Sequence, residues 1–128
     1  MHKNRQWTPD ELAMIAGSDD LKVSPLRQDG LTYGTPTWIW NVAVAGNLYV
    51  RPYNGTKSSW YQAALRQKFG RIHAGGLVIE VEFGSVIEAE NVEIDDAYRA
   101  KYKDSPYLAH MIGQKVRSTT IKIIPRGK

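Results

Sequence analysis

The sequence of 128 residues contains no cysteine. This absence excludes disulfides, thiolate metal sites and a cysteine nucleophile. Histidine is also scarce, and His2, His73 and His110 lie far apart without the spacing of metal ligands. We therefore expect no metal site. No Ser-His-Asp set can be recognised either, so the sequence leaves any catalytic residue unknown.

Long hydrophobic runs are missing as well. No segment is apolar over a length that would span a bilayer, and the first residues, MHKNRQWTPDEL, lack the apolar core of a secretory signal. We therefore expect a soluble, cytoplasmic protein that has no membrane partner.

The sequence also has little excess of one charge. The 17 basic residues against 13 acidic residues give a net charge of +4, and the basic residues are scattered along the chain. Proteins that bind nucleic acid usually concentrate basic residues on one face. We therefore expect no nucleic-acid partner.

The composition suits one folded unit. Hydrophobic residues make up 42% of the sequence, and the length is typical of one domain. The sequence contains no internal repeat, linker or low-complexity segment. We therefore expect a single domain over residues 1–128.

The first two predicted helices have clear boundary signals. Thr8-Pro9-Asp10-Glu11 combines a capping box with a proline at the first helical position, and Gly17 ends this helix. The second helix is predicted to begin at Trp60 and to end at Gly70 as its C′ glycine. Ala64 and Leu65 continue the buried stripe that begins at Trp60.

Later helix signals are shorter. Asp95-Asp96 is interpreted as the cap of a third helix, because acidic residues suit the positive end of the helix dipole. A short helix around Leu108 to Ile112 is expected to follow.

Alternating apolar residues predict strands. Thr37 to Ala45 is apolar on both faces, which favours a central strand covered on two sides. Further strands are predicted at residues 19–23, 48–51, 71–73, 77–83 and 119–124. About six strands with two or three helices fit an α+β domain built on a small antiparallel barrel.

The segment from residue 47 to residue 76 predicts a ligand site. Arg51 ends a strand, a short polar loop follows, and a helix begins at Trp60 and Tyr61. A basic side chain, a flexible glycine, hydroxyls and free helix amides together suit a phosphate group, and the aromatic residues suit a ring system. The loop residues predicted to bind the cofactor are Asn54, Gly55, Thr56, Lys57, Ser58 and Ser59. The alternative is that the serines only cap the helix, that Arg51 is solvated, and that the aromatic residues pack on the core.

Several spaced segments resemble a known family. DGLTYGTPTWIW, LYVRPYNGTKSSWY, YRAKY and the final IKIIP are similar to domain-of-unknown-function family 2255, from Trp7 onward. This resemblance alone implies no activity.

A more distant resemblance concerns residues 31–83. The order hairpin, strand, polar loop, Trp-Tyr helix and glycine-ended hairpin resembles the split β-barrel proteins, which include pyridoxamine-phosphate-oxidase-like flavin proteins and deazaflavin-dependent nitroreductases. Lys57 and Trp60-Tyr61 stand where the nitroreductases have a basic loop and a Trp-Tyr pair. The resemblance implies a small antiparallel split β-barrel and a homodimer that holds cofactors where two barrels meet.

The sequence departs from the nitroreductases at two places. Residues 30–36 lack their basic pair, and the loop from Pro52 to Ser59 is shorter. These differences favour FMN over a cofactor with a long anionic tail, although deazaflavin or no cofactor remain alternatives. We expect a flavin-dependent oxidoreductase that acts on a small organic molecule. The alternative is a cofactor-free module that binds a small ligand or a protein.

Three further residues are predicted to contact the substrate. Tyr33, Thr35 and Thr37 flank Pro36, and their hydroxyls can donate to a flavin ring edge or a substrate carbonyl. The alternative is an ordinary strand entry rich in residues with high β-propensity.

Overall fold

The computed structural model describes residues 5–127, so His2 lies outside the described residues. Within this range it contains five α-helices and seven strands. The helices are α1 (Pro9–Ala16), α2 (Ser59–Gln67), α3 (Asn91–Lys101), α4 (Leu108–Met111) and α5 (Gln114–Arg117). The strands are β1 (Lys22–Pro25), β2 (Thr37–Trp38), β3 (Asn41–Val44), β4 (Asn47–Val50), β5 (Phe69–Ala74), β6 (Leu77–Gly84) and β7 (Ile121–Pro125). The predicted numbers, about six strands and two or three helices, are therefore too low.

All seven strands form one antiparallel sheet, in the order β2-β1-β5-β6-β7-β4-β3. The two edge strands, β2 and β3, are separated in the chain only by Ile39 and Trp40. The sheet must therefore curl until its edges approach each other. No ladder joins β2 to β3 in the described part of the chain, so the α+β class is confirmed but the sheet is a half-barrel.

The predicted central strand from Thr37 to Ala45 is wrong. The chain changes partner at Ile39, whose N–H donates to Leu21 O at 3.0 Å. Residues before this point pair with β1, and residues after it pair with β4. Both pieces therefore lie at sheet edges, and Trp38 is 49% exposed.

Apolar residues cover both faces of the sheet. On one face, α1 and α2 pack through Ile15, Trp60 and Ala64 against inward-facing strand residues such as Val50 and Ile72. On the opposite face, α3 packs on the β3–β4 hairpin, and the buried cluster there consists of Val42, Tyr49, Ile94, Tyr98, Tyr102, Met111 and Val116. The predicted capping box of α1 is confirmed, because Thr8 and Glu11 exchange both hydrogen bonds.

The predicted end of the second helix is wrong. Helix α2 ends at Gln67, and Lys68 takes the left-handed conformation at φ 65° that was expected of a glycine. Gly70 lies inside β5 instead. Leu65 is 51% exposed, so the buried stripe of α2 consists of Trp60 and Ala64.

Gly70 is required by close packing between strands rather than by its backbone conformation. A Cβ atom there would lie 2.5 Å from Ser24 O and 2.7 Å from Pro25 Cα, and neither backbone atom can move independently. We expect Gly70→Ala to lower the free energy of unfolding by about 2–3 kcal/mol, measured by urea denaturation. Gly84→Ala is the matched control, because its Cβ would meet only the flexible end of Ile124 at 3.0 Å. Equal stability of the two variants would contradict this explanation.

Candidate functional site

A cleft of about 670 Å³ opens beside β2, the segment after β4, and the segment that joins α3 to α4. We call it the aromatic cleft, because six of its described lining residues are Trp or Tyr. Its lining residues are Asp19, Thr37, Trp38, Ile39, Trp40, Arg51, Tyr53, Asn54, Ser58, Trp60, Tyr102, Ser105, Tyr107 and Met111.

A stack of aromatic rings builds one wall of the aromatic cleft. Trp40 and Tyr102 lie almost parallel, with their centroids 3.9 Å apart and an angle of 3° between the rings. Tyr98 lies on α3, one helical turn before the C-cap residue Tyr102, and its ring centroid lies 6.4 Å from that of Trp40 and 5.9 Å from that of Tyr102. The stack is therefore fixed by a helix on one side and by the β2–β3 connection on the other.

The hydroxyl of Tyr102 ties this wall to the loop before β1. It donates to Asp19 Oδ1 at 2.8 Å and accepts from Asn41 N at 3.1 Å. Burial, together with the bond to Asp19, raises the pKa of Tyr102 well above its usual range. The phenol therefore stays protonated and keeps donating to the carboxylate. The main-chain oxygen of Asp19 accepts from Trp38 Nε1, so Asp19 is held between two aromatic residues.

Arg51 lies in the wall of the aromatic cleft, but its guanidinium group is bonded to other residues of the protein. The pairing of Val50 with Ile121 brings Arg51 beside Thr120, whose Oγ1 accepts from Nε at 2.9 Å. The other guanidinium nitrogens donate to Met111 O at 3.1 Å and to Asn91 Oδ1 at 3.1 Å. The side chain is 0% exposed, so the alternative of a solvated Arg51 is wrong.

Asp95 supplies the countercharge of Arg51. Its Oδ1 lies 2.6 Å from Arg51 Nη1, with angles that make the contact an ion pair rather than a hydrogen bond. Its Oδ2 accepts from Arg117 Nε at 3.0 Å, and Arg117 in turn pairs with Glu88 at 2.8 Å. These four charges sum to zero. The interpretation of Asp95-Asp96 as a helix cap is wrong, because α3 begins at Asn91 and Asp95 lies buried within it.

The predicted cofactor loop contributes two residues to the aromatic cleft. Asn54 and Ser58 line it. Gly55 begins a 3₁₀ turn with φ +57°, a conformation that favours glycine. Thr56 and Lys57 are exposed and, in the described structure, line neither this cleft nor the cleft that adjoins it.

The N-terminus of α2 has no side-chain cap among the described residues. Ser58 takes the N-cap position, yet within residues 5–127 its side chain makes no capping hydrogen bond. The amides of Ser59, Trp60 and Tyr61 therefore lack the usual side-chain acceptor. The alternative in which the serines serve as ordinary caps is thus not seen at Ser58.

A second, polar cleft of about 530 Å³ adjoins the aromatic cleft and shares Thr37 and Trp60 with it. We call it the polar cleft. Its lining residues are Pro25, Leu26, Arg27, Gln28, Asp29, Gly34, Thr35, Thr37, Ser59, Trp60, Ala63 and Arg66. Asp29 accepts bonds from the amides of Thr32 and Leu31, which lower its pKa to about 2, so it stays ionised beside the two arginines.

The structure separates the remaining predicted residues. Thr35 lines the polar cleft and Thr37 lines both clefts. Tyr33 lies elsewhere, where its hydroxyl donates to Glu80 and its ring lies 3.6 Å from the guanidinium carbon of Arg71. Tyr61 is half-buried and packs against the core, although its neighbour Trp60 lines both clefts.

The sequence prediction missed several residues of the aromatic cleft. These are Asp19, Trp38, Ile39, Trp40, Tyr53, Tyr102, Ser105, Tyr107 and Met111. The spacing of the aromatic residues could have indicated part of this set. Tyr98 and Tyr102 are four residues apart in a predicted helix, and Trp38 and Trp40 share one face of an extended segment. Nothing in the sequence connects these two pairs, because their contact depends on how α3 packs on the sheet.

A family comparison matches residues 11–123 to a family described as "Uncharacterized protein conserved in bacteria (DUF2255)". The chain belongs to DUF2255. The predicted resemblance to domain-of-unknown-function family 2255 is therefore confirmed. The matched range runs from α1 into β7 and includes every residue that lines the two clefts. A comparison with curated proteins found no match to this DUF2255 chain.

Two further observations concern residues 5–127 of this DUF2255 protein. No group of three or more His, Asp or Glu side chains in this range is arranged to hold a metal ion. None of the helices in it has the length and apolar character needed to cross a membrane.

Proposed function

We propose that the aromatic cleft binds the ring system of FMN or a related flavin, and that the protein is a flavin-dependent oxidoreductase acting on a small organic molecule. The observation that carries the proposal is a cleft with six aromatic lining residues. Its volume of about 670 Å³ lies within the range of roughly 300–1,000 Å³ typical of small-molecule sites. The distant resemblance to split β-barrel flavin proteins agrees with this choice.

The aromatic cleft fits a flavin ring in its chemistry. Trp38, Tyr53 and Tyr107 are each 45% or more exposed, so their rings are available for stacking. Hydroxyl and amide groups of Thr37, Asn54 and Ser58 offer donors to the polar ring edge. A bound flavin would supply the redox chemistry, while these residues orient the ring and limit the access of water.

The phosphate of FMN fits the start of α2. Ser58 lines the aromatic cleft and Ser59 lines the polar cleft, so the uncapped amides of the first turn stand where the two clefts meet. A helix N-terminus favours an anion through its free N–H groups and its dipole. Arg66 lines the polar cleft too, and within the described chain no carboxylate lies at ion-pair distance from it. Arg51 is assigned to holding the cleft wall rather than to the phosphate.

A cofactor-free binding module is the second candidate. One observation favours it: of the described residues, Arg51 is the one cation that lines the aromatic cleft, and Asp95 neutralises it. A ring-bearing ligand without a phosphate would need no further cation. In this alternative the same aromatic residues bind a small organic molecule or an aromatic side chain of a partner.

The predicted homodimer is retained as a proposal. Trp38 is half-exposed on the edge strand β2 and lines the aromatic cleft. A second copy of the chain placed against this edge would cover Trp38 and enclose the ligand, as the resemblance to split β-barrel proteins implies.

Preference for FMN over riboflavin tests the proposed function. Titration of each ligand into the purified protein, followed by flavin fluorescence, is expected to show FMN binding about tenfold more tightly, since charge-assisted hydrogen bonds to the phosphate contribute roughly 1.5–3 kcal/mol. Arg66→Ala, which removes one of the two arginines of the polar cleft, is expected to lose much of this preference. Lys103→Ala, at an exposed basic residue outside both clefts, is the control.

Three outcomes of this titration are informative. Equal affinity of FMN and riboflavin would contradict the phosphate assignment and leave a ring-binding site. An unchanged FMN preference in Arg66→Ala would place the phosphate away from Arg66. Absence of binding by either flavin would favour the cofactor-free module.

A further inference from the structure

We propose that the aromatic cleft also recognises a cationic group, and that its second ligand is a small substituted ammonium compound. The inference deepens the proposed function, since it names the substrate class for the same cleft. It rests on the proposed function only in naming this ligand as the substrate. Binding of the cation itself requires no flavin, because the protein alone forms the site. The observation behind it is the carboxylate of Asp19 set among aromatic rings.

The position of Asp19 is fixed from two sides. Its Oδ1 accepts from the buried hydroxyl of Tyr102 at 2.8 Å, and its main-chain oxygen accepts from the indole N–H of Trp38. Asp19 itself is exposed to the cleft, and within residues 5–127 no hydrogen bond reaches its Oδ2. One carboxylate oxygen is thus anchored and the other is available to a ligand.

No basic side chain among the described residues forms an ion pair with Asp19. Arg51 is paired with Asp95, and that buried network has no net charge. Lys101 interacts electrostatically with Asp19, but its three Nζ hydrogens are donated to other, neutral acceptors rather than to the carboxylate. These acceptors are Ser18 O at 3.0 Å, Asn41 O at 2.8 Å and Asn41 Oδ1 at 3.1 Å. Lys101 keeps its positive charge and partly offsets that of Asp19, but it does not line the aromatic cleft, so Asp19 is the one exposed charged side chain among the described lining residues.

Aromatic faces attract the same kind of ligand as the carboxylate. The negative face of an indole or phenol ring attracts cations, and a cage of such rings is a recognised way to bind substituted ammonium groups. Trp38 ends β2 and Trp40 lies on the β2–β3 connection, and both line the cleft with the carboxylate that Tyr102 holds. A neutral ring ligand would use the stacking surfaces but would leave the Asp19 carboxylate without a direct ion-pair partner. A substituted ammonium ligand uses both.

The test compares a cation with its neutral isostere. Choline and 3,3-dimethylbutan-1-ol have the same shape and differ in charge, so their binding to the flavin-free protein by isothermal titration calorimetry isolates the charge. We expect choline to bind about tenfold more tightly. Asp19→Asn is expected to remove most of this preference, while its side-chain oxygen can still accept from Tyr102. Asp20→Asn makes the same charge change at a residue outside both clefts and is expected to keep the preference.

Circular dichroism and thermal denaturation of both variants establish that they are folded. Equal affinity of choline and the alcohol for the wild-type protein, or a preference that survives Asp19→Asn, would overturn the inference. Absence of choline binding would overturn it as well. Because this titration contains no flavin, and the flavin titration contains no cation, either proposal can fail while the other stands.

Discussion

Arg51→Ala is expected to lower the free energy of unfolding by about 3–5 kcal/mol, the typical loss when one partner of a buried ion pair is removed. The side chain is 0% exposed, and Asp95 lies 2.6 Å from it. Without Arg51, Asp95 keeps Arg117 as its one direct partner among the described residues, and Asn91 and Thr120 lose a donor. The free energy of unfolding of native domains is about 5–15 kcal/mol, so this substitution is expected to remove a large part of the stability.

The matched control is Lys57→Ala. Lys57 belongs to the same predicted anion site and carries the same charge, but it is exposed and lines neither described cleft. Its loss is expected to change the free energy of unfolding by less than about 0.5 kcal/mol. Urea denaturation followed by circular dichroism measures both variants. Similarly small changes in the free energy of unfolding of the two variants would show that Arg51 does not stabilise the fold. Arg51 would then again be a candidate ligand contact.

Trp38→Ala is expected to weaken flavin binding by about tenfold, the equivalent of roughly 1.4 kcal/mol of lost stacking on one aromatic ring. Trp38 lines the aromatic cleft and is 49% exposed, so its removal takes away ligand contact more than core packing. The free energy of unfolding should fall by only about 1 kcal/mol, mainly through the lost bond to Asp19 O.

The control for this effect is Val92→Ala. Val92 is 60% exposed on α3 and lies outside both described clefts. Fluorescence titration with FMN should give the wild-type dissociation constant for this variant. An equal loss of affinity in Trp38→Ala and Val92→Ala, or no loss in Trp38→Ala, would place the flavin elsewhere on the molecule.

Local signals predicted most elements because the residues that decide them are close in sequence. The capping box of Thr8 and Glu11 needs only four residues, and the β5–β6 hairpin follows from two alternating segments around Gly75-Gly76. The resemblance based on spaced segments also identified the family. These features survive in the fold because tertiary packing agrees with them.

Features that depend on distant partners were not predictable. Arg51 is an ordinary strand-end arginine in the sequence, and its burial requires both the β4–β7 register and the placement of Asp95 on α3. Gly70 has the spacing of a helix-ending glycine, and only the approach of Ser24 O reveals its true role. The segment from Thr37 to Ala45 alternates like one strand, but the bond from Ile39 to Leu21 divides it between two edges.

The candidate site was predictable in position but not in composition. The start of α2, where the sequence predicts a ligand site, lies beside the aromatic cleft, since Ser58 and Trp60 line it. The opposing residues, such as Asp19 and Tyr102, come from segments far apart in the chain. Their meeting depends on the packing of α3 against the β3–β4 hairpin, which no local pattern encodes.

Binding of FMN in the aromatic cleft is tested most directly by the indole N–H signals of the four tryptophans in a ¹⁵N-labelled sample. Trp38, Trp40 and Trp60 line the cleft, whereas Trp7 is buried, does not line it, and donates to Ile123 O at 3.0 Å, so it serves as an internal control. Addition of FMN is predicted to shift the three cleft signals with one common saturation curve and to leave Trp7 unchanged. Shifts of all four signals alike, or of none, would contradict a flavin site in the aromatic cleft.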